Sequence, residues 1–414
     1  MTPDVAIVGA GAAGIAAARR LASLGRSILV LEASARVGGR AWTYEVAGMA
    51  LDMGCGWLHS ADRNSWARVA EKTGVPLTHR PSAWSRQYCD LGFSPAEQDA
   101  ADRAFERWRE RLETAPPASD RASDALEPGG EWNGYIDAIS GYLNGVAVDQ
   151  VSVADYLAYV EASSDRNWRT PGGYGALISA SFPEGVALRL STPVSAIALA
   201  KEGVVLTTPR GEIRARVAIV AVSTSVLSSG DLRLPQEGRA WREAARRLPL
   251  GHNEKVFLEI VGGRAFEPET HLMGNPRDPG AASYYIRPLG QPVIECFLGG
   301  AGAEVLDAEG PAAAFARATE ELVGLFGAQV QSALRPLAAS SWGRMNHIGG
   351  GYSHALPGYA GTRKALARPC ENKIFFAGEA TQPYDYGTAH GAHDSGVRAA
   401  EEALSALNGR NTSL

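Results

Sequence analysis

The sequence predicts an α/β fold in which a parallel-sheet domain is interleaved with a second, α+β domain. Three observations carry this. Residues 4–8, DVAIV, form an apolar run closed by Gly9, followed by the helix-like stretch AGIAAARRLASLG and a second run, SILVL, at 27–31. Runs that are apolar at every position suit parallel strands covered on both faces, so the chain opens on a βαβ unit. The same texture returns far down the chain, as KIFFA at 373–377 and a helix-like stretch over 388–407. Between these ends, residues 186–222 switch to strand texture with VALRL, VSAIALA, VVLTT and VAIVAV.

The remaining elements follow in order. Gly25 is a natural stop for the first helix. Residues 97–113 read as an amphipathic helix, with Phe105, Trp108 and Leu112 on one stripe. Residues 114–131 hold three prolines and a Gly-Gly pair and read as a loop. KVFLEI at 255–260 and PVIECFL at 292–298 are further strands. The pattern assigns 1–58, 182–240 and 362–414 to the parallel-sheet domain, and 59–181 and 241–361 to the second.

Composition narrows the function. A net charge of −5 over 414 residues lacks the basic footprint of a nucleic-acid binder. The four cysteines, Cys55, Cys89, Cys296 and Cys370, form no CxxC pair, so no zinc site or disulfide framework is expected. The start, MTPDVAIVGAG, has no signal-peptide pattern and a cytoplasmic protein is the expectation. No apolar run is long enough for a membrane span. The sequence carries no dependable oligomer signal, and a homodimer is compatible with it.

The 47 glycines exceed ordinary usage, and their positions carry chemistry. Gly9-Ala10-Gly11-Ala12-Ala13-Gly14 lies between the first strand and the first helix. Gly9 permits the tight turn, Gly11 lets backbone approach a pyrophosphate, and Gly14 lets helix pack on strand. The helix N-terminus then offers free N–H groups to phosphates. Glu32 ends the second strand, 18 residues beyond Gly14, where a carboxylate can accept from ribose hydroxyls. Glu32-Ala33 leads into Gly38-Gly39-Arg40, a second anion-contacting turn suited to a long, extended dinucleotide.

These motifs resemble the two-dinucleotide-binding-domain flavoproteins that bind FAD through a Rossmann-like domain, in the branch of the flavin-containing amine oxidases. Further segments carry the resemblance: Gly54-Cys55-Gly56-Trp57-Leu58-His59, Pro171-Gly172-Gly173-Tyr174-Gly175, Thr192-Pro193-Val194, Pro249-Leu250-Gly251 with Lys255, and Phe376-Ala377-Gly378-Glu379-Ala380-Thr381 followed by Gly387-Thr388-Ala389-His390-Gly391. The Gly-x-Trp-x-His form is most similar to polyamine oxidases and histone demethylases.

The resemblance implies residue roles. Lys255 would be catalytic, holding a water against flavin N5. Gly54, Gly56, Trp57, Val194, Trp342, Gly378, Glu379, Thr388 and Ala389 would join the N-terminal motifs in holding FAD, with Glu379 accepting from the ribityl chain. His59, Tyr352 and Thr388 would face substrate. Thr388 stands where monoamine oxidases carry the second aromatic wall, so the two-walled cage is expected to be absent unless Tyr384 or Tyr386, both candidate substrate contacts, supplies a replacement. Gly351 stands where those enzymes carry a flavin-linked cysteine, so FAD is expected to be non-covalent. His390 and His393 form an HxxH inside the flavin motif, and no metal is expected there. The expected reaction is oxidation of an amine C–N bond to an imine, with dioxygen reoxidising the flavin and yielding hydrogen peroxide. A C–C desaturase, an L-amino-acid oxidase, a flavoprotein using another electron acceptor and a flavin-bound scaffold are the alternatives.

Overall fold

The protein is described from a computed structural model covering residues 2–84, 86–262 and 266–411. A five-stranded sheet has the order Ile374–Phe376, Val217–Val220, Val5–Val8, Ile28–Leu31, Ala187–Arg189. All four neighbouring pairs are parallel, with Val5 opposite both Ile28 and Val217. The three inner strands are buried at every position, and alternation sends their residues to two different cores. Val5, Ile7, Val30 and Ile219 meet the helices Ala12–Ala22 and Ala389–Asn411 through Ala13, Ala17, Leu21, Ala399 and Ala403. Ala6, Val8, Leu31 and Val220 face the other way, onto Ile197, Val204, Leu206 and Leu227. Those residues belong to the antiparallel sheet Ala196–Leu199, Val204–Thr208, Gly211–Ala215 and the helix Thr224–Ser229. Coverage on both faces is the reason these strands read as unbroken apolar runs.

A second five-stranded sheet is antiparallel, in the order Thr270–Met273, Ser283–Ile286, Val293–Gly299, Asn253–Ile260, Leu334–Ala339. One face, carrying Val256, Leu258, Tyr284, Ile294, Cys296 and Leu298, packs on the helices Ala301–Glu309 and Pro311–Phe326. The edge strand Leu334–Ala339 includes Pro336, which an edge tolerates and which masked the strand in the sequence. The hairpin Thr43–Val46/Met49–Asp52 was likewise not anticipated.

The amphipathic stretch expected at 97–113 is the helix Pro95–Thr114. Ser94 caps it, Glu97 closes a capping box and Pro95 takes the first turn, which fixes its start two residues earlier. Trp108 and Leu112 are buried with Phe105 packed beside them. Among the described residues, no helix is long and apolar enough to cross a membrane.

Two histidines are built into the fold as neutral rings. Burial pushes His271 down to about 4 and His354 down to about 3, with the Arg363 guanidinium adding to the second shift. Both therefore bind protons more readily unfolded than folded. Their contribution is intact above the unfolded value of about 6.5 and is lost as pH falls toward 4 and 3. The urea midpoint is expected to drop steadily from pH 7 to pH 4, by an amount worth on the order of 3 kcal/mol per histidine. Replacing His354 by Gln should flatten that slope.

Candidate functional site

The carboxyl ends of the parallel strands open onto a cavity of about 950 Å³ that runs on to the face of the antiparallel sheet opposite its helices. Its first half is the glycine cradle. Gly9 has φ +100°, and a Cβ there would lie 2.6 Å from the Ala221 carbonyl oxygen. A Cβ on Gly14 would lie 1.9 Å from the Gly9 oxygen, so no side chain fits there. Gly11 differs: a Cβ would meet only Gly38 and Gly39 backbone, at 3.8 and 3.9 Å. That space belongs to the cavity, which Gly9, Gly11, Ala12 and Ala13 line while Gly14 packs behind them. The helix start at Gly11 has no side-chain cap and leaves its first amides to the cavity.

Glu32 is buried at the end of its strand and lines the cavity. Its Oε2 accepts from the Ala10 amide at 2.7 Å, and its Oε1 from the amide and hydroxyl of Ser34, both at 2.8 Å. The second glycine turn folds against the first, with the Gly38 amide donating to the Ala10 oxygen at 2.8 Å. Ala33, Gly38, Gly39, Arg40 and, further along, Val194 complete this half. The Arg40 guanidinium donates to Glu379 at 3.1 Å and to the Gly351 carbonyl.

Glu379 lines the cavity but offers no spare acceptor. Oε1 takes Arg40 and the Ser353 amide, while Oε2 takes the Ser353 hydroxyl at 2.7 Å and the Gly387 amide at 2.8 Å. Those four donors occupy the four lone-pair positions of a carboxylate. Burial alone would raise its pKa, yet Arg40, Arg363 and these hydrogen bonds hold it below the usual range. The geometry therefore gives Glu379 the task of ordering Arg40 and the Gly387 turn, in place of the expected free acceptor.

The second half is reached past Gly54, Cys55, Gly56 and Trp57. A Cβ on Gly54 would lie 1.8 Å from the Arg40 oxygen. One on Gly56 would lie 3.2 Å from the Lys255 Nζ, so glycine keeps that ammonium uncovered. Trp342 is buried, donates to the Met53 carbonyl at 3.1 Å and meets Trp42 edge-on. Lys255 is 6 % exposed; its Nζ donates to the Asp52 main-chain oxygen at 2.9 Å and pairs with Glu295 at 2.8 Å.

His59 lines the same half. Its Nδ1 lies 2.7 Å from Asn167 Oδ1, and the Asn167 amide group is turned that way by donating to the Asp165 carbonyl at 3.1 Å. Nδ1 therefore carries the proton and Nε2 a free lone pair. Burial, with Lys255 and His390 adding to it, pushes His59 down to about 4, so the ring is neutral at working pH. The Trp57 ring meets Trp84 at a tilt of 59°, 4.4 Å between centroids, and lies under the Arg169 guanidinium, also at 4.4 Å.

Tyr352 donates its hydroxyl to the Tyr142 carbonyl, and both line the cavity. Tyr386 is buried, donates to the Asp155 carbonyl at 3.1 Å and lies 5.4 Å from the Tyr159 ring. Tyr384 does not join them: it is 50 % exposed and lies off the cavity wall, so Tyr386 alone of the pair reaches it. Gly378, Thr388 and Ala389 line the cavity beside the start of the last helix. His390 sits 3.2 Å from Asp385 and His393 2.8 Å from Asp394, each held by its own carboxylate. Sequence reading missed Glu295, Phe297, Tyr285 and Tyr142. Glu295, the single charge in the apolar run 292–298, was the available signal, but it needs the register to say which face it joins.

The residues present fit a long dinucleotide: an open cradle at Gly11, unpaired helix-start amides and a buried terminal carboxylate at Glu32. The family model of flavin-containing amine oxidoreductases matches residues 12–91 and 85–404. The chain is 26 % identical to polyamine oxidase 2 of Arabidopsis thaliana and 28 % to polyamine oxidase 4 of Oryza sativa, spanning 97 % of itself and 88 % of each. It is 26 % identical to lysine-specific histone demethylase 1 homolog 1 of Arabidopsis thaliana, over 53 % of that protein. Among solved structures, cyclohexylamine oxidase from Brevibacterium oxydans superposes with a TM-score of 0.77 at 21 % identity, covering 99 % of this chain and all of that one. Putrescine oxidase superposes with a TM-score of 0.74 at 18 % identity, covering 98 % and 99 %. The glycine cradle, the lysine on the cavity face and the match along nearly the whole chain place this protein in the flavin-containing amine oxidoreductase family, with FAD as its cofactor.

Proposed function

We propose that this protein oxidises the C–N bond of an aliphatic amine to an imine, which water then hydrolyses, and that dioxygen is the final acceptor, released as hydrogen peroxide. The observation that carries the reading is Lys255, held at 6 % exposure on the cavity face of its strand with its Nζ left bare by Gly56. FAD supplies the acceptor for the hydride from the α-carbon and passes the electrons on. The chain binds, orients and excludes water. We assign 1–58, 182–240 and 362–414 to holding the cofactor and the remaining segments to the amine. The Nε2 lone pair of neutral His59 accepts from the amine, while Tyr352 and Tyr386 flank it with aromatic faces. The third N–H of Lys255 stays available to a water in the cavity.

Oxygen uptake and peroxide release on adding monoamines, diamines, polyamines and amino acids to the flavin-loaded protein test this. Amine-dependent peroxide in step with amine consumed supports it; turnover of amino acids alone, or of none of these, contradicts it. His59→Phe is expected to lower kcat/KM for the preferred amine by about 10- to 100-fold, the loss of one hydrogen bond to a charged group. The flavin is held without a covalent bond. Gly351 has no side chain, and burial pushes the thiol of Cys55, which also lines the cavity, up to about 12, where it stays protonated. Acid precipitation is therefore expected to leave all flavin in the supernatant and none in the pellet.

A further inference from the structure

One face of the antiparallel sheet carries a grid of side chains, of which Lys255, Ser283, Tyr285, Glu295 and Phe297 line the cavity. In one row, Tyr285, Glu295 and Phe257 stand opposite each other across three strands; in the next, Ser283, Phe297 and Lys255 do. Glu295 and Lys255 are thus diagonal neighbours on one face, close enough for long side chains to meet. They do meet, at 2.8 Å, with side chains 19 % and 8 % exposed. We propose that Glu295 is a positioning residue that neutralises and aims Lys255, and so makes the inner chamber receptive to a cationic amine. The inference rests on the amine-oxidising reading above.

The charges facing Lys255 can be named from each packed element. The Asp52 carboxylate is occupied by the Thr43 hydroxyl at 2.6 Å and by the amides of Tyr174 and Gly175 at 2.8 and 3.1 Å. It is the Asp52 main-chain oxygen that touches Nζ. His59 is neutral and the Cys55 thiol protonated. Glu295 is the carboxylate in direct contact with the ammonium. With two donors of Nζ taken by Asp52 and Glu295, the third is left to the cavity. Without Glu295, a buried cation faces the incoming ammonium in a low-dielectric chamber, where like charges repel strongly.

The test uses the flavin-loaded enzyme and a ligand without an α-hydrogen, tert-butylamine, alongside its neutral counterpart tert-butanol. Binding is read from perturbation of the flavin spectrum. Glu295→Gln is expected to weaken tert-butylamine by about 10- to 100-fold and leave tert-butanol unchanged. For an oxidisable amine, KM should rise by a similar factor while kcat changes less. Glu295→Asp should recover most of the amine binding, which also controls for a Gln variant that loses flavin or fails to fold. Equal weakening of both ligands, or no weakening of either, overturns the role of Glu295. A wild-type enzyme that neither binds nor oxidises any amine overturns the reading beneath it instead.

Discussion

Replacing Lys255 by methionine is expected to slow reduction of the bound flavin by an amine by about 10²- to 10³-fold, with flavin content and melting temperature close to wild type. The magnitude is that of removing one preorganised donor from a water-poor site. Methionine matches the lysine stem in length and apolar character, so the strand and its packing survive, while the N–H groups to Asp52, Glu295 and the cavity are lost. The variant leaves Glu295 opposite a thioether, where its side chain, 19 % exposed, turns to the cavity solvent. Stopped-flow absorbance under anaerobic conditions separates this step from reoxidation. An unchanged reduction rate would remove Lys255 from the chemistry.

The largest effect on stability is expected at Arg363. Its side chain is fully buried and bidentate on Asp155, with Nε–Oδ1 at 2.6 Å and Nη2–Oδ2 at 2.8 Å. It also donates to the Ser353 hydroxyl at 2.8 Å and lies 3.7 Å over the Tyr386 ring. Asp155 in turn accepts from the Ala355 amide at 3.0 Å. Arg363→Met leaves the Asp155 charge buried without its partner, which costs about 3–5 kcal/mol. Because Ser353 passes the network to Glu379, the variant should also hold flavin less well. The urea midpoint and flavin content measure both losses. The double variant Arg363→Met/Asp155→Leu should regain much of the stability, since no charge is then left behind.

The sequence was most legible where backbone chemistry dictates residue type. Gly9, Gly14 and Gly54 sit where a Cβ would strike a carbonyl oxygen, and Glu32 ends a strand whose burial shows in every residue. Lys255 was singled out by the resemblance of Pro249-Leu250-Gly251 and the strand after it to the family's lysine-bearing segment, since the same PLG recurs at 288–290 without such a lysine. The aromatic walls were less legible. Tyr384 and Tyr386 are two residues apart in an irregular loop, where no periodicity tells inward from outward. Glu295 was hidden in PVIECFL, a run that reads as a buried strand. Its meaning comes only from pairing with Asn253–Ile260, which sets it diagonal to Lys255. Glu379 was found, but its four protein donors depend on contacts from Arg40, Ser353 and Gly387, far apart in sequence. Helices such as Asn133–Asn144 escaped because Gly134 and Gly141 blur the apolar period; a Cβ on Gly141 would lie 3.0 Å from Gly299.

The central claim is that this cavity passes electrons from an amine to flavin. Anaerobic mixing of the flavin-loaded protein with a series of amines tests it most directly. The account predicts that at least one amine bleaches the oxidised flavin absorbance fully, and that admitting air restores it with one peroxide formed per flavin. A fully loaded protein whose flavin no amine bleaches would contradict it.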